Sequence, residues 1–407
     1  MASDSFAQTR ALLRHRPYLL FFGGRGFSKF AAQIGVVAIG WQVYELTDSA
    51  FYLGMIGLAQ FAPMAILVFL AGHVADRYER KRVAQICQMV QSLTAAYLAW
   101  GAFNGSLSVV ELFAAVAVLG SATAFESPST AALLPGVAPE GMLQKATALS
   151  LSVFQIATIS GPALGGFAYA IAPAVPYTVM AVFWLVASLL NGAIRLQRPV
   201  AAKEPPTLAA LFAGVDFVRR HPAILGSISL DLFAVLLGGA TALLPIYAKD
   251  ILHTGPWGLG VLRAAPAVGA LMMAVFLSRH SFKRRVGLRM FQAVIVFGLA
   301  TVVFALSESF WLSLPALALM GASDTVSMVI RSSLVQLSTP DDMRGRVSAV
   351  NFLFINASNQ LGEFESGLTA HLWGVVPAAA FGGIGTVVVA LLWMKFFPAL
   401  RKVERLE

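Results

Sequence analysis

The positive charge of this chain is distributed in a pattern that only a membrane-spanning fold explains. Hydropathy divides the 407 residues into twelve apolar segments. Most of the 29 Lys and Arg residues lie in the N-terminal arm, in every second gap between segments, or in the C-terminal tail. Loops rich in Lys and Arg are retained on the cytoplasmic side of a membrane. The pattern therefore predicts a multi-pass protein of a cell membrane, with an even number of crossings and both termini in the cytoplasm.

The composition identifies a lipid bilayer as the surroundings of the chain. Hydrophobic residues make up 58% of it and charged residues 12%, which excludes a soluble domain of this length. The net charge is +9, but the cations follow the membrane topology instead of forming one patch, so we expect no nucleic-acid partner. A single cysteine, Cys87, excludes an intramolecular disulfide. The six His residues are scattered and no nucleotide-binding loop is present, so we expect no metal site and no cofactor.

Each apolar segment is long enough to cross a bilayer core as a helix, for which about 20 residues are needed. Transmembrane β-strands would be shorter and would alternate polar with apolar residues, which these segments do not do. The sequence therefore predicts an all-α integral membrane protein with 12 transmembrane helices. The predicted spans are Tyr18–Tyr44, Phe51–Leu70, Val83–Phe103, Val109–Phe125, Thr147–Ala170, Val175–Leu196, Ala223–Tyr247, Trp257–Leu277, Leu288–Leu306, Phe310–Val329, Val347–Trp373 and Val376–Phe397.

The two halves of the chain resemble each other. The segment Leu133–Leu149 runs parallel to Leu334–Val350 at an offset near half the chain length, which indicates duplication of a six-helix unit. We therefore predict two pseudo-symmetric six-helix bundles, over residues 1–196 and 222–407. Residues 197–221 are the predicted cytoplasmic linker, and the spacing of its apolar residues predicts an amphipathic helix on the membrane surface.

The gap after the second apolar segment combines a Gly, an Asp-Arg pair and a basic run. The residues of this gap that are candidates for a cytoplasmic gate are Gly72, Asp76, Arg77 and Arg80. It resembles the cytoplasmic signature loop of the major facilitator superfamily, in which the Asp latches the inner gate against the N-terminus of a helix from the opposite half. A carboxylate gains about 0.3–1 kcal/mol at such a helix end. The alternative is a tight turn with topology-setting cations. Two positions depart from the family pattern, Val74 and Glu79.

The fifth apolar segment contains a dense run of Gly and Pro, at Gly161, Pro162, Gly165 and Gly166. It is similar to a signature of the antiporter branches of the same superfamily, although Ala157 stands where the fuller pattern has another Gly. Gly and Pro at this density kink a helix and permit close packing of backbones. The resemblance favours an exporter, and helix packing alone is the alternative.

Charged and polar groups inside the apolar segments are candidates for cavity and proton-coupling residues, because each charge costs about 2.5–3.5 kcal/mol or more at a helix centre. Arg25, Lys29 and Gln33 are four residues apart and therefore lie on one helix face. The repeat places Asp231 at the depth of Arg25, so we expect Arg25 or Lys29 to pair with it. The alternative for each residue is a structural ion pair. The remaining candidates are Glu126, Arg263, Asp324, Arg331, Glu363 and Glu365.

The resemblance covers nearly the whole chain. The segments Pro340–Val347 and Ala264–Ala270 are similar to the branch that holds enterobactin exporters and macrolide efflux pumps. This implies a proton-coupled exporter of a small organic molecule such as a siderophore or drug, working by alternating access in a bacterial inner membrane. We expect a monomer. The alternatives are an uptake symporter, a carrier of a lysophospholipid or other lipid-like solute, and a membrane-embedded enzyme, for which we find no catalytic cluster.

Overall fold

The computed structural model describes residues 9–195, 208–280, 285–340 and 343–404, and within these ranges the chain is helical without a β-strand. Six long helices precede the linker: α1 Arg16–Thr47, α2 Ala50–Arg77, α3 Arg80–Phe103, α4 Val109–Val137, α5 Leu143–Ile171 and α6 Ala174–Gly192. A linker helix follows at Leu208–Arg220, so the predicted amphipathic segment is confirmed as a helix.

In the second half of the chain, the α-helical part of α7 covers Pro222–Leu237, and five further long helices follow. They are α8 Gly255–Arg279, α9 Val286–Ala305, α10 Phe310–Leu337, α11 Arg344–Trp373 and α12 Val375–Phe396. Within the described ranges, nine helical stretches are long and apolar enough to cross a membrane. Helices α1, α3 and α11 are not among them, and each carries several polar side chains along its length.

Helix α7 is interrupted, although the sequence predicts one span over Ala223–Tyr247. The α-helix ends at Leu237, and after Gly238 and Gly239 the chain continues as short 3₁₀, α and π turns to Ile251. A side chain at Gly239 would overlap the backbone of Gly362 in α11. Gly239 therefore allows α7 to approach α11 closely, and the helix breaks at the point of contact.

Several helices extend beyond the predicted spans. Helix α2 continues to Arg77, so only Tyr78 and Glu79 separate it from α3, and most of the signature loop is in fact the last turns of a helix. Helices α4 and α10 likewise continue to Val137 and Leu337. Hydropathy reports the part of a helix that crosses the hydrocarbon core, whereas backbone hydrogen bonding continues into the polar region.

The chain divides into two compact units. The first holds residues up to Leu46 and those from Ala59 through α6, and the second holds residues 47–58 together with the helices from the linker helix onward. In the first unit, buried Tyr18, Phe21 and Leu133 join α1 to α4, and the Tyr18 hydroxyl donates to the carbonyl of Ala146 at 2.9 Å. In the second unit, Val218 of the linker helix packs in a buried cluster with residues of α7, α10 and α11. The bundle boundaries predicted from the sequence stay a prediction.

Candidate functional site

A buried carboxylate organises the polar interior of the first unit. Glu126 of α4 is 6% exposed. Its Oε1 accepts hydrogen bonds from Ser28 Oγ of α1 at 2.6 Å and Gln88 Nε2 of α3 at 2.9 Å, and its Oε2 accepts one from Gln91 Nε2 at 3.1 Å. These four residues form the Glu126 cluster. Three donors on two helices hold the carboxylate in place, which is the arrangement that a buried anion requires.

A cation completes this cluster. The Arg25 guanidinium on α1 interacts electrostatically with Glu126, and its buried Nε has no hydrogen-bond partner in the described part of the chain. The chain of hydrogen bonds continues outward, since Asn191 of α6 donates from Nδ2 to Gln88 Oε1 at 2.8 Å. The cluster therefore links α1, α3 and α4, and Asn191 connects it to α6. The sequence analysis identified Arg25 and Glu126 but missed the uncharged members; the spacing of three between Gln88 and Gln91 in an apolar helix was the available signal.

The second unit contains a buried ion pair. The Arg331 guanidinium of α10 contacts the Asp231 carboxylate of α7, and the two side chains are 4% and 7% exposed. The expected pairing of Asp231 with Arg25 or Lys29 is therefore wrong. Asp231 is neutralised by a cation on α10, a helix packed beside α7 in the same unit. An equal depth in the two repeats does not show which helices are neighbours, and the pairing depends on the neighbours.

A small cavity adjoins this ion pair. It has a volume of about 10 Å³ and is lined by Asp231, by Ser323, Asp324 and Ser327 of α10, and by apolar residues of α7 and α9. That is about the space one water molecule needs. The Oγ of Ser327 and the Nε of Arg331 are buried without a hydrogen-bond partner among the described residues. The site therefore places two carboxylates and two hydroxyls around a space of water size, with the Arg331 guanidinium in contact with one of the carboxylates. These residues form the Asp231 site.

The two units carry their charges in opposite order. The first unit has its cation on its first helix, at Arg25, and its acid on its fourth, at Glu126. The second has its acid on its first helix, at Asp231, and its cation on its fourth, at Arg331. The shared helix positions are those expected if a six-helix unit was duplicated, which stays a prediction. Each charge is compensated within its own unit, as burial of charge in a membrane protein demands.

The other predicted residues lie apart from these two groups. Arg263 of α8 interacts electrostatically with Glu363 of α11, whose carboxylate also lies against the backbone of α2 at Gly57. Glu365 is half-buried on α11, which is an unbroken helix, so it points away from Glu363. Lys29 lies over the Phe154 ring, 6.0 Å from its centroid.

The glycine motif of α5 lies against α1. A Cβ at Gly161 would lie 2.5 Å from the Cβ of Gln33, and a Cβ at Gly165 would lie 2.9 Å from the carbonyl oxygen of Ile34. Pro162 is buried inside the helix, and Gly166 is buried beside it. The glycines thus allow α5 to pack closely against α1, which is the structural alternative given for this motif in the sequence analysis. A transport role for the motif stays a prediction.

Replacing Gly161 by Leu will separate α5 from α1. We expect an unfolding free energy lower by about 1–3 kcal/mol, because the added side chain must overlap Gln33. Thermal unfolding of the purified protein in detergent measures this loss. Gly345→Leu is the matched control, since nothing lies within 4 Å of a Cβ at that position. An equal loss in both variants would show that the contact between α5 and α1 is not tight.

The signature segment is described only in part, because the surroundings of Gly72 and the side chain of Asp76 lie outside what the structure describes. Arg77 is exposed at the end of α2. Arg80 begins α3 and donates from Nη1 to the carbonyl of Ala132 in α4 at 3.3 Å. Glu79, which departs from the family pattern, pairs with Arg82 at 2.6 Å and lies 3.4 Å from Lys81. The described part of the segment therefore anchors α3 to α4.

Comparison with known proteins decides the family. The family model described as "Transmembrane secretion effector", a major facilitator family, matches residues 8–407. The chain belongs to this family. It is therefore a multi-pass membrane transporter and not an enzyme. Within the described ranges, no group of three or more His, Cys, Asp or Glu residues is placed to hold a metal ion.

Curated relatives match this transporter over its full length. It is 26% identical over 426 residues to the enterobactin exporter EntS of Citrobacter koseri, covering 100% of this chain and 98% of the relative. It is 25% identical over 422 residues to EntS of Shigella dysenteriae serotype 1, covering 98% of this chain and 97% of the relative. The resemblance to enterobactin exporters found in the sequence is thus confirmed.

Solved structures share the fold of this transporter. The nucleoside transporter NupG superposes with a TM-score of 0.70 at 16% identity, covering 94% of this chain and 99% of that one. A bacterial homologue of the human lysosomal transporter Spinster, in an inward-facing and unoccupied conformation, superposes with a TM-score of 0.74 at 12% identity, covering 96% of this chain and 97% of that one. At these identities the likeness concerns the fold alone.

Proposed function

We propose that this transporter is a proton-coupled exporter of a small organic molecule of the siderophore class, working by alternating access as a monomer in a bacterial inner membrane. The proposal includes 12 transmembrane helices in two six-helix bundles, with both termini in the cytoplasm. The observation that carries it is the buried Asp231–Arg331 ion pair beside a space of water size. Full-length similarity to proteins named as enterobactin exporters supports the class of substrate.

Proton coupling requires an acid whose protonation changes a structural contact. When a proton binds the Asp231 carboxylate, its attraction for the Arg331 guanidinium is lost, and the contact between α7 and α10 weakens. Loss of the proton restores the charge and the contact. The neighbouring Ser327 hydroxyl, together with a cavity that has room for one water, would give the proton a route to Asp231. The ion pair thus gives α7 and α10 two states that differ by one proton.

The basic residues within the spans give only a weak preference for an anionic substrate. Arg331 is paired with Asp231, and Arg263 and Arg25 interact with Glu363 and Glu126. Their charges are thereby used inside the protein. Lys29 is different, since it lies over an aromatic ring instead of an acid. An anionic or catecholate-like substrate would find there a cation that is not paired with an acid among the described residues.

The gate hypothesis predicts that Asp76→Asn inserts into the membrane normally but transports at least tenfold more slowly. The physical reason is the loss of the carboxylate charge that a helix N-terminus attracts. Transport in membrane vesicles, normalised to the amount of inserted protein, measures the effect. Glu79→Gln is the matched control, because it removes an acid from the exposed connection directly after α2. Wild-type flux in Asp76→Asn would remove this residue from the mechanism.

Proteoliposomes with an acidic interior test the proposed function. Protons leaving the vesicles should drive enterobactin inward against its gradient, and collapse of the pH difference with a protonophore should stop the accumulation. Asp231→Asn should abolish accumulation, whereas Asp216→Asn, which removes an exposed acid of the linker helix, should not. Accumulation only when the interior is alkaline would favour uptake by symport instead. Transport of lysophospholipid but not of enterobactin would favour the lipid-like class.

A further inference from the structure

A sizeable cavity lies at one end of the first unit, away from the Glu126 cluster. Its volume is about 420 Å³, and it is bounded by the first residues of α1, the first residues of α3 and the chain just after α6. Basic side chains and apolar groups share its wall. The lining residues are Arg16, Pro17, Leu20, Lys81, Gly192, Ala193, Ile194 and Arg195. We call this cavity the basic pocket.

The cations of the basic pocket are incompletely neutralised. Arg16 and Arg195 are exposed, and neither has an ion-pair or hydrogen-bond partner for its side chain in the described part of the protein. Lys81 donates from Nζ to the carbonyl of Ile194 at 3.1 Å, and its Nζ lies 3.4 Å from Oε1 of Glu79. Glu79 itself is shared with Arg82. The pocket therefore gathers three positive groups around one space, and among the described residues the acid found beside them is Glu79, which is shared with Arg82.

We propose that the basic pocket binds the phosphate headgroup of an anionic phospholipid. Guanidinium groups bind phosphate oxygens with paired hydrogen bonds, and Arg16 and Arg195 have donors free to do so. The volume falls in the range of small-molecule sites, about 300–1,000 Å³, and exceeds what one inorganic phosphate fills. Basic pockets between transmembrane helices on the cytoplasmic side are a known setting for anionic headgroups.

The apolar part of the wall favours a lipid over a free anion. Pro17, Leu20 and Ile194 line the same cavity as the three cations. A free phosphate gains nothing from such groups, whereas the glycerol and first acyl carbons of a lipid remain in contact with apolar surface. Leu19, next to this wall on α1, is 47% exposed and extends the apolar surface outward. The pocket is thus amphiphilic, as a phospholipid is.

The proposal that the basic pocket binds a phospholipid rests on the proposed function in one respect only. The orientation with both termini in the cytoplasm decides which leaflet supplies the lipid. In that orientation the pocket lies on the cytoplasmic side, where the inner leaflet supplies anionic lipid. Its test uses lipid binding in detergent and requires no transport. Failure of the lipid proposal and failure of the proton-coupled export proposal are therefore distinguishable.

Native mass spectrometry of the full-length protein tests the assignment. The purified protein is titrated in detergent with phosphatidylglycerol, with phosphatidylcholine and, separately, with inorganic phosphate as a competitor. We expect retention of phosphatidylglycerol in preference to phosphatidylcholine. The double variant Arg16→Gln/Arg195→Gln should bind phosphatidylglycerol about 25-fold more weakly, since each cation near an anionic headgroup contributes about fivefold. Both side chains are exposed, so the helix content should not change.

Arg10→Gln/Arg14→Gln is the matched control, because it removes two exposed cations of the N-terminal arm that do not line the pocket. We expect it to bind within about twofold of wild type. An equal loss in this control would reduce the effect to general electrostatic attraction and overturn the site. Equal retention of both lipids by the wild-type protein would also overturn it. If millimolar inorganic phosphate displaces the lipid, the ligand of the pocket is a free anion and the lipid proposal is overturned.

Discussion

Replacing Arg331 by Met will lower the unfolding free energy by about 3–5 kcal/mol. The substitution leaves the Asp231 carboxylate buried without its partner, and an uncompensated buried charge is strongly destabilising. The double variant Asp231→Leu/Arg331→Met should recover most of this loss, because neither charge of the pair is then left buried without its partner. Both variants should lose proton-driven transport. Recovered stability without recovered transport would separate the coupling role of the pair from its structural role.

Thermal unfolding in detergent and flux in proteoliposomes measure the two effects on the same preparations. Arg346→Met is the matched control, since Arg346 is an exposed cation near the start of the neighbouring helix α11 and its loss should change stability by no more than about 0.5 kcal/mol. Proton-driven flux at the wild-type rate in the double variant would show that the ion pair only holds helices together.

Replacing Glu126 by Ala will destabilise the protein by roughly 3–6 kcal/mol. Ser28, Gln88 and Gln91 would each lose an acceptor, and one unsatisfied buried polar group costs about 1–3 kcal/mol. The Arg25 charge would also lose its compensating acid. Glu126→Gln should cost less than half as much, because the amide keeps the shape and one acceptor oxygen.

Glu111, in the first turn of the same helix, provides a control of the same residue type. It forms a capping box with Ser108 at the start of α4, so Glu111→Ala should cost only about 1 kcal/mol. Thermal unfolding of the three variants in one detergent gives the comparison. If Glu126→Ala is no more destabilising than Glu111→Ala, the hydrogen bonds of the Glu126 cluster do not stabilise the first unit.

The membrane class and helical nature of this protein follow from hydropathy and charge alone, because a bilayer leaves the backbone few alternatives. Helix ends were less predictable, as α2 shows by continuing to Arg77 through most of the signature segment. The break in α7 was missed as well. Gly238 and Gly239 are visible in the sequence, but their consequence depends on the neighbours that pack against them, the Phe297 ring of α9 at Gly238 and the backbone of α11 at Gly239.

The sequence identifies the charged residues of the candidate site, but it does not show which of them form ion pairs with each other. Costly charges in apolar segments singled out Glu126, Asp231 and Arg331. Which cation neutralises Asp231 depends on how α7 and α10 pack, and no spacing within one helix reports that. The uncharged donors to Glu126 were missed for a similar reason. An amide in a membrane helix acquires its role only from the partner on the next helix.

Proton movement driven by substrate tests the account most directly. Proteoliposomes that contain wild-type protein and an internal pH-sensitive dye are loaded with enterobactin and diluted into substrate-free buffer without an imposed pH difference. Exchange of substrate for protons in opposite directions predicts that the interior becomes more acidic as enterobactin leaves, and that Asp231→Asn abolishes the change. An interior that becomes more alkaline, or enterobactin efflux without any pH change, would contradict the account.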